Sequence, residues 1–506
     1  MTEGHALHFE SGGKYETRTT VYLLASSIMA ATAGFLFGYD VGISGGVSAM
    51  ADFQKKFYPS VYRNARNAKV NNYCRYDSQT LQLFTSSLQL AGFFTSLVAG
   101  YTTRKFGRRM AIIWGGLAYL LGAILNGAAV SLTMLIIGRV FLGIGVGLTM
   151  QAAPVYIAEI APYQHRGALV NGFQFAITVG LFLSSLTNYF TDKIHPWGWR
   201  LSLGLGAAPA LVITLGAILL PDSPTSYIDR GQVEKGRKVL EKIRGLKNVD
   251  VEFEDALEAS RTAALVKNKF RDLLSRKNRP QVVISCFLLG MQPLTGNTAI
   301  AFYIPVIFRI LGYGSSAALY STAIVGSVRM AGSAISMVLV DRIGRKVLFL
   351  QGGIQMLICQ IALGTIFYLE LGLHNTLSKS MAAGVLVLVC LWTAGFDWSW
   401  GPLIWVVPPE IFSLESRSAG MGVAVSFNYI ITFTLTQVFL TMFCHLRWGT
   451  FYFFAGALVF MVLFTTFLIP ETRRIPLEEV KHIWAKHWFW KRFVATEEKE
   501  VNRLQS

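Results

Sequence analysis

Asp40 lies in an apolar run that begins near Val21, within Gly34-Phe35-Leu36-Phe37-Gly38-Tyr39-Asp40-Val41-Gly42-Ile43-Ser44-Gly45-Gly46. The run is long enough to cross a bilayer, which takes roughly 20 residues. A carboxylate at membrane depth is costly unless it is paired or wetted. It therefore reads as a proton or ion site, or as a ligand contact; the alternative is a carboxylate at the water interface. The glycines around it let a backbone or a substrate come close. Arg139 stands in a later apolar run beside Gly138, Gly143, Gly145 and Gly147. A buried arginine needs an anion, and Asp40 is the available one in this half of the chain. Protonating Asp40 would free Arg139, which couples a proton to a change of shape. A fixed structural salt bridge is the other reading of the same two residues.

These residues need membrane helices to position them, and the composition supplies them. The chain has 506 residues, 53% hydrophobic and only 15% charged, with positive mean hydropathy. That is more apolar and less charged than a soluble globular protein. The net charge of +17 does not point to nucleic acid, because the basic residues fall mostly between apolar spans, as cytosolic loops of membrane proteins require. Twelve spans are expected. Three of them, 200–220, 281–309 and 381–407, matter below. Residues 1–20 form a polar tail without a cleavage pattern, so the first span is expected to act as its own signal. The expected organisation is a six-helix bundle over 21–220, a cytosolic helical linker over 221–280, a second bundle over 281–469 and a cytosolic tail over 470–506.

Orientation follows from the short loops. Arg104-Lys105-Phe106-Gly107-Arg108-Arg109 and Arg342-Ile343-Gly344-Arg345-Lys346 are densely basic and read as cytosolic, as do the linker and the tail residues Arg473, Arg474, Lys481, Lys486, Lys491 and Arg492. An even span count puts both termini on that side. The loop at about 49–79 disagrees. It carries Lys55, Lys56, Arg63, Arg66, Lys69 and Arg75 yet falls outside, and the other loops outvote it.

The two halves repeat each other. The Lys105–Arg109 motif returns at Arg342–Lys346, the spacing of Glu159 and Arg166 returns in Glu410 and Arg417, and Pro221-Asp222 returns as Pro470-Glu471. Two equivalent bundles imply rocking about a site between them near the bilayer midplane.

Together these features resemble the sugar porter family of the major facilitator superfamily, and most closely the plant monosaccharide/proton symporters. The motifs that carry the likeness are Gly38-Tyr39-Asp40, Gly138-Arg139, Pro154-Val155-Tyr156-Ile157-Ala158-Glu159 with Arg166-Gly167, Pro221-Asp222-Ser223-Pro224, Asp341-Arg342-Ile343-Gly344-Arg345, Gly401-Pro402-Leu403-Ile404-Trp405 and Pro470-Glu471-Thr472. The resemblance implies an all-α major facilitator fold, alternating access, and a hexose and a proton as the species carried through a lipid bilayer. It makes Asp40 and Arg139 the proton site. It makes Phe37, Gln174, Gln292, Asn297, Thr298, Arg329, Asp397 and Trp405 the sugar-facing set, with Trp405 stacking on the ring. Gln174, taken alone, could equally be a bond between helices.

Several members of that set depart from the family. Aligned on Phe302-Tyr303-Ile304-Pro305, Gln292 takes the place of the first family glutamine. Pro293 stands where the second belongs and Thr298 where an asparagine belongs, with Asn297 one residue early. A displacement of one residue turns a side chain by about 100° on a continuous helix, so Asn297 is not expected to substitute. Arg329 stands where relatives have a sugar-binding asparagine. Asp397 replaces a small apolar residue of the plant relatives, and an opposite charge on a neighbouring helix is the partner expected for Arg329; the alternative is that an aqueous cavity solvates each charge separately.

Arg108, Glu159, Arg166, Asp341, Arg345, Glu410 and Arg417 are the expected gating charges, able to hold the cytosolic side shut across the halves. The resemblance also implies a disulfide between Cys74 and Cys444, tying the outer loop to the second half as a lid over the proton site. Cys286, Cys359 and Cys390 read as apolar packing. No nucleophile–base pair, metal spacing or cofactor motif is apparent, so an enzyme is not expected. The expected activity is proton-coupled hexose uptake at the plasma membrane. The alternative is a transport-inactive or sugar-sensing relative with an altered sugar site.

Overall fold

The basic loops end their helices on glycines that adopt a backbone few other residues tolerate. Gly107 has φ of 97° and Gly344 of 102°, the left-handed side of the map where a Cβ is penalised. Each lets one long helix stop and the next restart within a single residue. The computed structural model describes residues 20–66, 74, 76–162, 164–246, 248–264, 273, 275–310, 315–371, 379–413, 416–472, 484 and 487–493. Nearly all of the expected first tail lies outside the described residues, as do Lys69, Arg75, Arg473, Arg474, Lys481 and Lys486.

The first half comprises α1 (Val21–Ala49), the short α2 (Ala51–Phe57) and α3 (Pro59–Arg66), then α4 (Gln79–Phe106), α5 (Arg108–Gly127), α6 (Leu132–Ile160), α7 (Arg166–Thr191), α8 (Gly198–Gly204) and α9 (Ala207–Leu219). Side-chain caps start three of the long helices: Thr20, Ser78 and Ser131 accept from the backbone N–H of Leu23, Leu81 and Met134, satisfying donors that a helix end leaves open. The connecting segment holds α10 (Pro224–Asp229), α11 (Val233–Arg244) and α12 (Asp250–Ala264). These three close over a small core of Ile228, Leu240, Val249 and Phe253. Arg244 fastens them to the bundle, pairing with Glu252 at 2.6 Å and donating to the Ile160 carbonyl at 2.8 Å.

The second half comprises α13 (Arg279–Met291), α14 (Asn297–Ile310), α15 (Ser315–Ile343), α16 (Arg345–Ile366), α17 (Lys379–Asp397), α18 (Leu403–Ile411), α19 (Arg417–Leu446) and α20 (Gly449–Leu468). Among the described residues, eleven helices are long and apolar enough to cross a membrane, and Met381–Asp397 is a shorter apolar one, which matches the twelve spans. Three spans are not continuous. The span at 200–220 breaks between α8 and α9, the one at 281–309 at Gln292–Gly296, and the one at 381–407 between Asp397 and Leu403. The last two breaks coincide with Pro293 and with Gly401-Pro402, since proline has no N–H to continue a ladder. The halves meet chiefly where α4 packs on α19 and α7 on α15, with α1 against α14.

Candidate functional site

Asp40 on α1 and Arg139 on α6 meet in the interior of the first half. Arg139 Nη1 donates to Asp40 Oδ1 at 2.6 Å, and both side chains are buried. Arg139 Nε donates to the Phe84 carbonyl at 3.0 Å, and the guanidinium lies 4.9 Å from the centre of the Phe84 ring. Asp40 Oδ2 and Arg139 Nη2 have no hydrogen-bond partner among the described residues. One carboxylate oxygen is thus left open to a proton, while the cation keeps a carbonyl and an aromatic face if the carboxylate lets go. Phe84 is a member of this site that the sequence reading missed. Its signal, an aromatic on the fourth element facing a buried arginine, is visible only once the helices are packed.

The short helices α2 and α3 cover this pair. Phe53 on α2 is fully buried and packs on Phe84 at 5.2 Å and on Tyr58 at 5.7 Å between ring centres. Cys74 and Cys444 form a disulfide with their Cα atoms 4.6 Å apart, so the segment is tied to the end of α19 in the other half. Asp77 extends the seam by accepting from Thr441 Oγ1 at 2.6 Å, and Gln82 accepts from the Leu440 N–H at 3.0 Å. Asp77 and His445 lie beside Cys444, whose sulfur is spent in the disulfide and is no thiolate for a metal.

A second tie holds the lid to its own half. His195, between α7 and α8, pairs with Asp52 on α2 at 2.5 Å. The hydrogen bond and charge of Asp52 raise the imidazole above its ordinary value, with a smaller contribution from Asp192. The sign follows: the tie is complete at acid pH and is lost as pH rises through the raised value. Asp52→Asn should therefore increase hydrogen exchange of α2 at acid pH and change it little at alkaline pH. Equal change at both would show that the ion pair does not hold the lid.

Gln174, Arg329 and Asp397 come together between the halves. Arg329 Nε donates to Asp397 Oδ2 at 2.8 Å and Nη2 reaches Oδ1 at 3.5 Å. Gln174 Nε2, from the first half, donates to the same Oδ1 at 3.3 Å. Arg329 is 4% exposed and Asp397 fully buried. Gly401 lies against Gln174: a Cβ there would sit 3.0 Å from the amide nitrogen. Trp405 on α18 is buried and packs edge-on against Phe173, the neighbour of Gln174, at 5.4 Å.

The seventh span behaves differently from its expected continuous helix. After Met291 the chain makes a 3₁₀ turn over Gln292–Thr295, and Gly296 takes φ of 82° before α14 begins at Asn297. The break lies before Asn297, and α14 runs from Asn297 through Phe302-Tyr303-Ile304-Pro305 to Ile310, so the one-residue offset between Asn297 and Thr298 stands. Asn297 is the buried residue of the two, its Oδ1 without a partner, whereas Thr298 is half-buried. Gln292 is taken up by Asn428, whose Nδ2 donates to its Oε1 at 3.2 Å and to the Leu289 carbonyl at 2.6 Å. Phe37 is half-buried on α1.

The gating charges pair within each half. Arg108 meets Glu159 at 2.7 Å. Arg345 meets Glu410 at 2.8 Å and Asp341 at 3.1 Å. Across the halves, the Ala168 N–H donates to Asp341 Oδ2 at 2.9 Å, and Gln151 Nε2 to the Ser418 carbonyl at 3.2 Å. Arg166 and Arg417 begin α7 and α19, and Arg417 Nη2 lies 3.4 Å from the Phe412 carbonyl. The repeated Pro-acid motif, given no role from sequence, completes each cluster. Asp222 Oδ1 accepts from the N–H groups of Arg108 and Arg109 at 3.2 and 3.3 Å. Glu471 accepts from those of Arg345 and Lys346, both at 3.0 Å. Each caps the positive end of a helix. The next residues, Ser223 and Thr472, donate to Glu159 and Glu410.

The comparisons with known proteins bear on the family and the fold. A family model described as "Sugar (and other) transporter" matches residues 26–484. The chain is 48% identical to sugar carrier protein A of Ricinus communis over 96% of this chain and 93% of that one. It is also 48% identical to sugar transport protein 13 of Arabidopsis thaliana, over 98% of this chain and 95% of that one. Among solved structures, the proton:xylose symporter XylE bound to 6-bromo-6-deoxy-D-glucose superposes with a TM-score of 0.81 at 24% identity, covering 92% of this chain and all of that one. The inward-open form of XylE from E. coli gives 0.69 at 23% identity, over 91% of this chain and all of that one. The fold is thus the major facilitator fold, and the chain belongs to the sugar transporter family, beside the plant sugar transport proteins.

Proposed function

We propose that this chain carries a monosaccharide with a hexose skeleton together with a proton across the plasma membrane by alternating access. The observation that carries the reading is the buried Asp40–Arg139 pair, with one carboxylate oxygen open and a carbonyl and a ring ready to hold the released arginine. The names of its relatives, sugar carrier and sugar transport proteins, support a carrier over a non-transporting sensor. The basic loops support placing the linker and both termini in the cytosol, with the disulfide-tied lid outside, where thiols oxidise. Labelled-sugar uptake in a cell deficient in hexose transport tests it. A sugar should accumulate against its gradient, and a protonophore should abolish the accumulation. Equilibration alone, unaffected by the protonophore, would sink the proton coupling.

Two glycines set the closure at opposite faces. A Cβ on Gly45 would lie 2.3 Å from the Phe302 carbonyl oxygen, at the lid face. One on Gly167 would lie 2.3 Å from Asp341 Oδ1 and 2.8 Å from Arg345 Nη2, at the basic face. Overpacking costs about 1–3 kcal/mol, here only in the state that closes that face. Gly45→Ala should expose the outer vestibule and Gly167→Ala the inner one. Each should slow turnover about tenfold, the rate equivalent of roughly 1.4 kcal/mol. Thiol labelling of single cysteines in each vestibule reads the bias, and labelling that rises on the same face in both variants would refute it.

A further inference from the structure

The ion pair in the pocket is poorly matched to a neutral sugar. Arg329 and Asp397 are buried against each other between the halves, and among the described residues no other charged side chain lies within ion-pair distance of either. Asp397 uses Nε and Nη2 of the guanidinium. Nη1 donates to no described group, although a guanidinium carries five N–H donors in a planar fork. A hydroxyl is a weak competitor for a cation that already holds a carboxylate, since charge-assisted bonds are roughly twice as strong as neutral ones.

We propose that the pocket takes a monosaccharide bearing a carboxylate, of the uronic-acid class, which binds Arg329 in the place of Asp397. The proposal deepens the carrier reading and rests on it. The charge balance favours this exchange. At rest the pocket holds one guanidinium and one carboxylate. When an anionic sugar enters with a proton additional to the one taken up by Asp40, its carboxylate pairs with Arg329 and this second proton goes to Asp397. The pocket again holds one guanidinium, one carboxylate and one neutral acid, so no unpaired charge is buried. The pocket gains one anion and one proton, and no bond other than the O–H is made; with the separate proton on Asp40 the cycle still carries one net positive charge. A neutral hexose that displaced Asp397 would leave the guanidinium with hydroxyls alone and bury the carboxylate without its cation.

Gln174 gives the exchange a consequence for the halves. Its Nε2 bond to Asp397 Oδ1 crosses the interface. Among the described residues, the polar and charged groups that meet Asp397 are Arg329 on α15 and Gln174 on α7. Protonation of Asp397 therefore weakens both the ion pair and the contact between the halves. Release of Gln174 returns an amide that can donate to and accept from ring hydroxyls.

The test uses the purified full-length protein and four probes: D-galacturonate, D-glucuronate, D-galactose and D-glucose. Binding is read by tryptophan fluorescence at two pH values, and uptake of the same labelled sugars is read in transport-deficient cells. A uronate should bind at least tenfold more tightly than its neutral counterpart at acid pH and lose that advantage at alkaline pH. The neutral hexoses should show little pH dependence of binding. Arg329→Gln with Asp397→Asn removes both charges, which avoids stranding either, and should reverse the preference towards the neutral sugar. A neutral hexose bound and transported while both uronates are ignored would overturn this inference and leave the carrier reading standing. No binding and no transport of any of the four would overturn both.

Discussion

Asp40→Asn should abolish uphill accumulation while leaving the protein folded and able to equilibrate sugar. Asparagine keeps the size and a carbonyl oxygen for Arg139, but cannot take up or release a proton. The loss is large because the driving force is large. One proton moving down one pH unit is worth about 1.4 kcal/mol, and one charge crossing 100 mV about 2.3 kcal/mol. Together they support a gradient on the order of five-hundred-fold, all of which a decoupled carrier forfeits. Arg139 stays tolerable in the variant because its Nε bond to the Phe84 carbonyl and its ring contact persist. Counterflow of labelled sugar at equal concentrations separates the outcomes. Exchange retained with accumulation lost supports coupling through Asp40, whereas accumulation retained against a gradient rules it out.

The same two residues show what a sequence makes legible. A carboxylate inside an apolar run and an arginine inside another have few ways to coexist with a bilayer, so their pairing follows from cost alone. The pairing of Arg329 with Asp397 follows by the same argument, applied to two departures from a family pattern. Repeats were legible because the two bundles use the same turn chemistry, down to Gly107 and Gly344. What the sequence hid depends on three-dimensional phase. The seventh span breaks at Gln292–Gly296, and in the helix that follows Asn297 is buried while Thr298 is half-buried, a difference set by the neighbours that packing brings to each. The partners of the gating charges were hidden for a related reason. Arg and Glu residues of one sign pattern can pair within or between halves, and only packing puts Arg108 on Glu159 and leaves a backbone N–H to meet Asp341. The capping acids Asp222 and Glu471 were visible as a repeated motif. Their role depends on helix ends that fold back from more than a hundred residues away.

The largest stability effect is expected at the pocket pair. Arg329→Asn places there the amide that the family resemblance implies, yet it should damage this protein, because Asp397 is left fully buried with only Gln174 to hold it. Removing one partner of a buried pair costs about 3–5 kcal/mol. Asp397→Ala alone strands the guanidinium instead, at a similar cost. The double variant buries no charge, and replacing a whole buried pair is often neutral or stabilising by about 1–4 kcal/mol. The singles should therefore lower the thermal midpoint of the detergent-extracted protein and its surface expression, while the double should recover both. The coupling energy in this cycle should exceed the upper end of the range for contacting residues, about 3 kcal/mol. A double variant no better than the sum of the singles would mean that water in the cavity solvates each charge separately, and the two residues would not act as a pair. Recovery in the double would fix the order of cause: Asp397 is tolerated at this depth because Arg329 is there, and Arg329 because Asp397 is, so neither departure from the family pattern could have persisted alone at full stability.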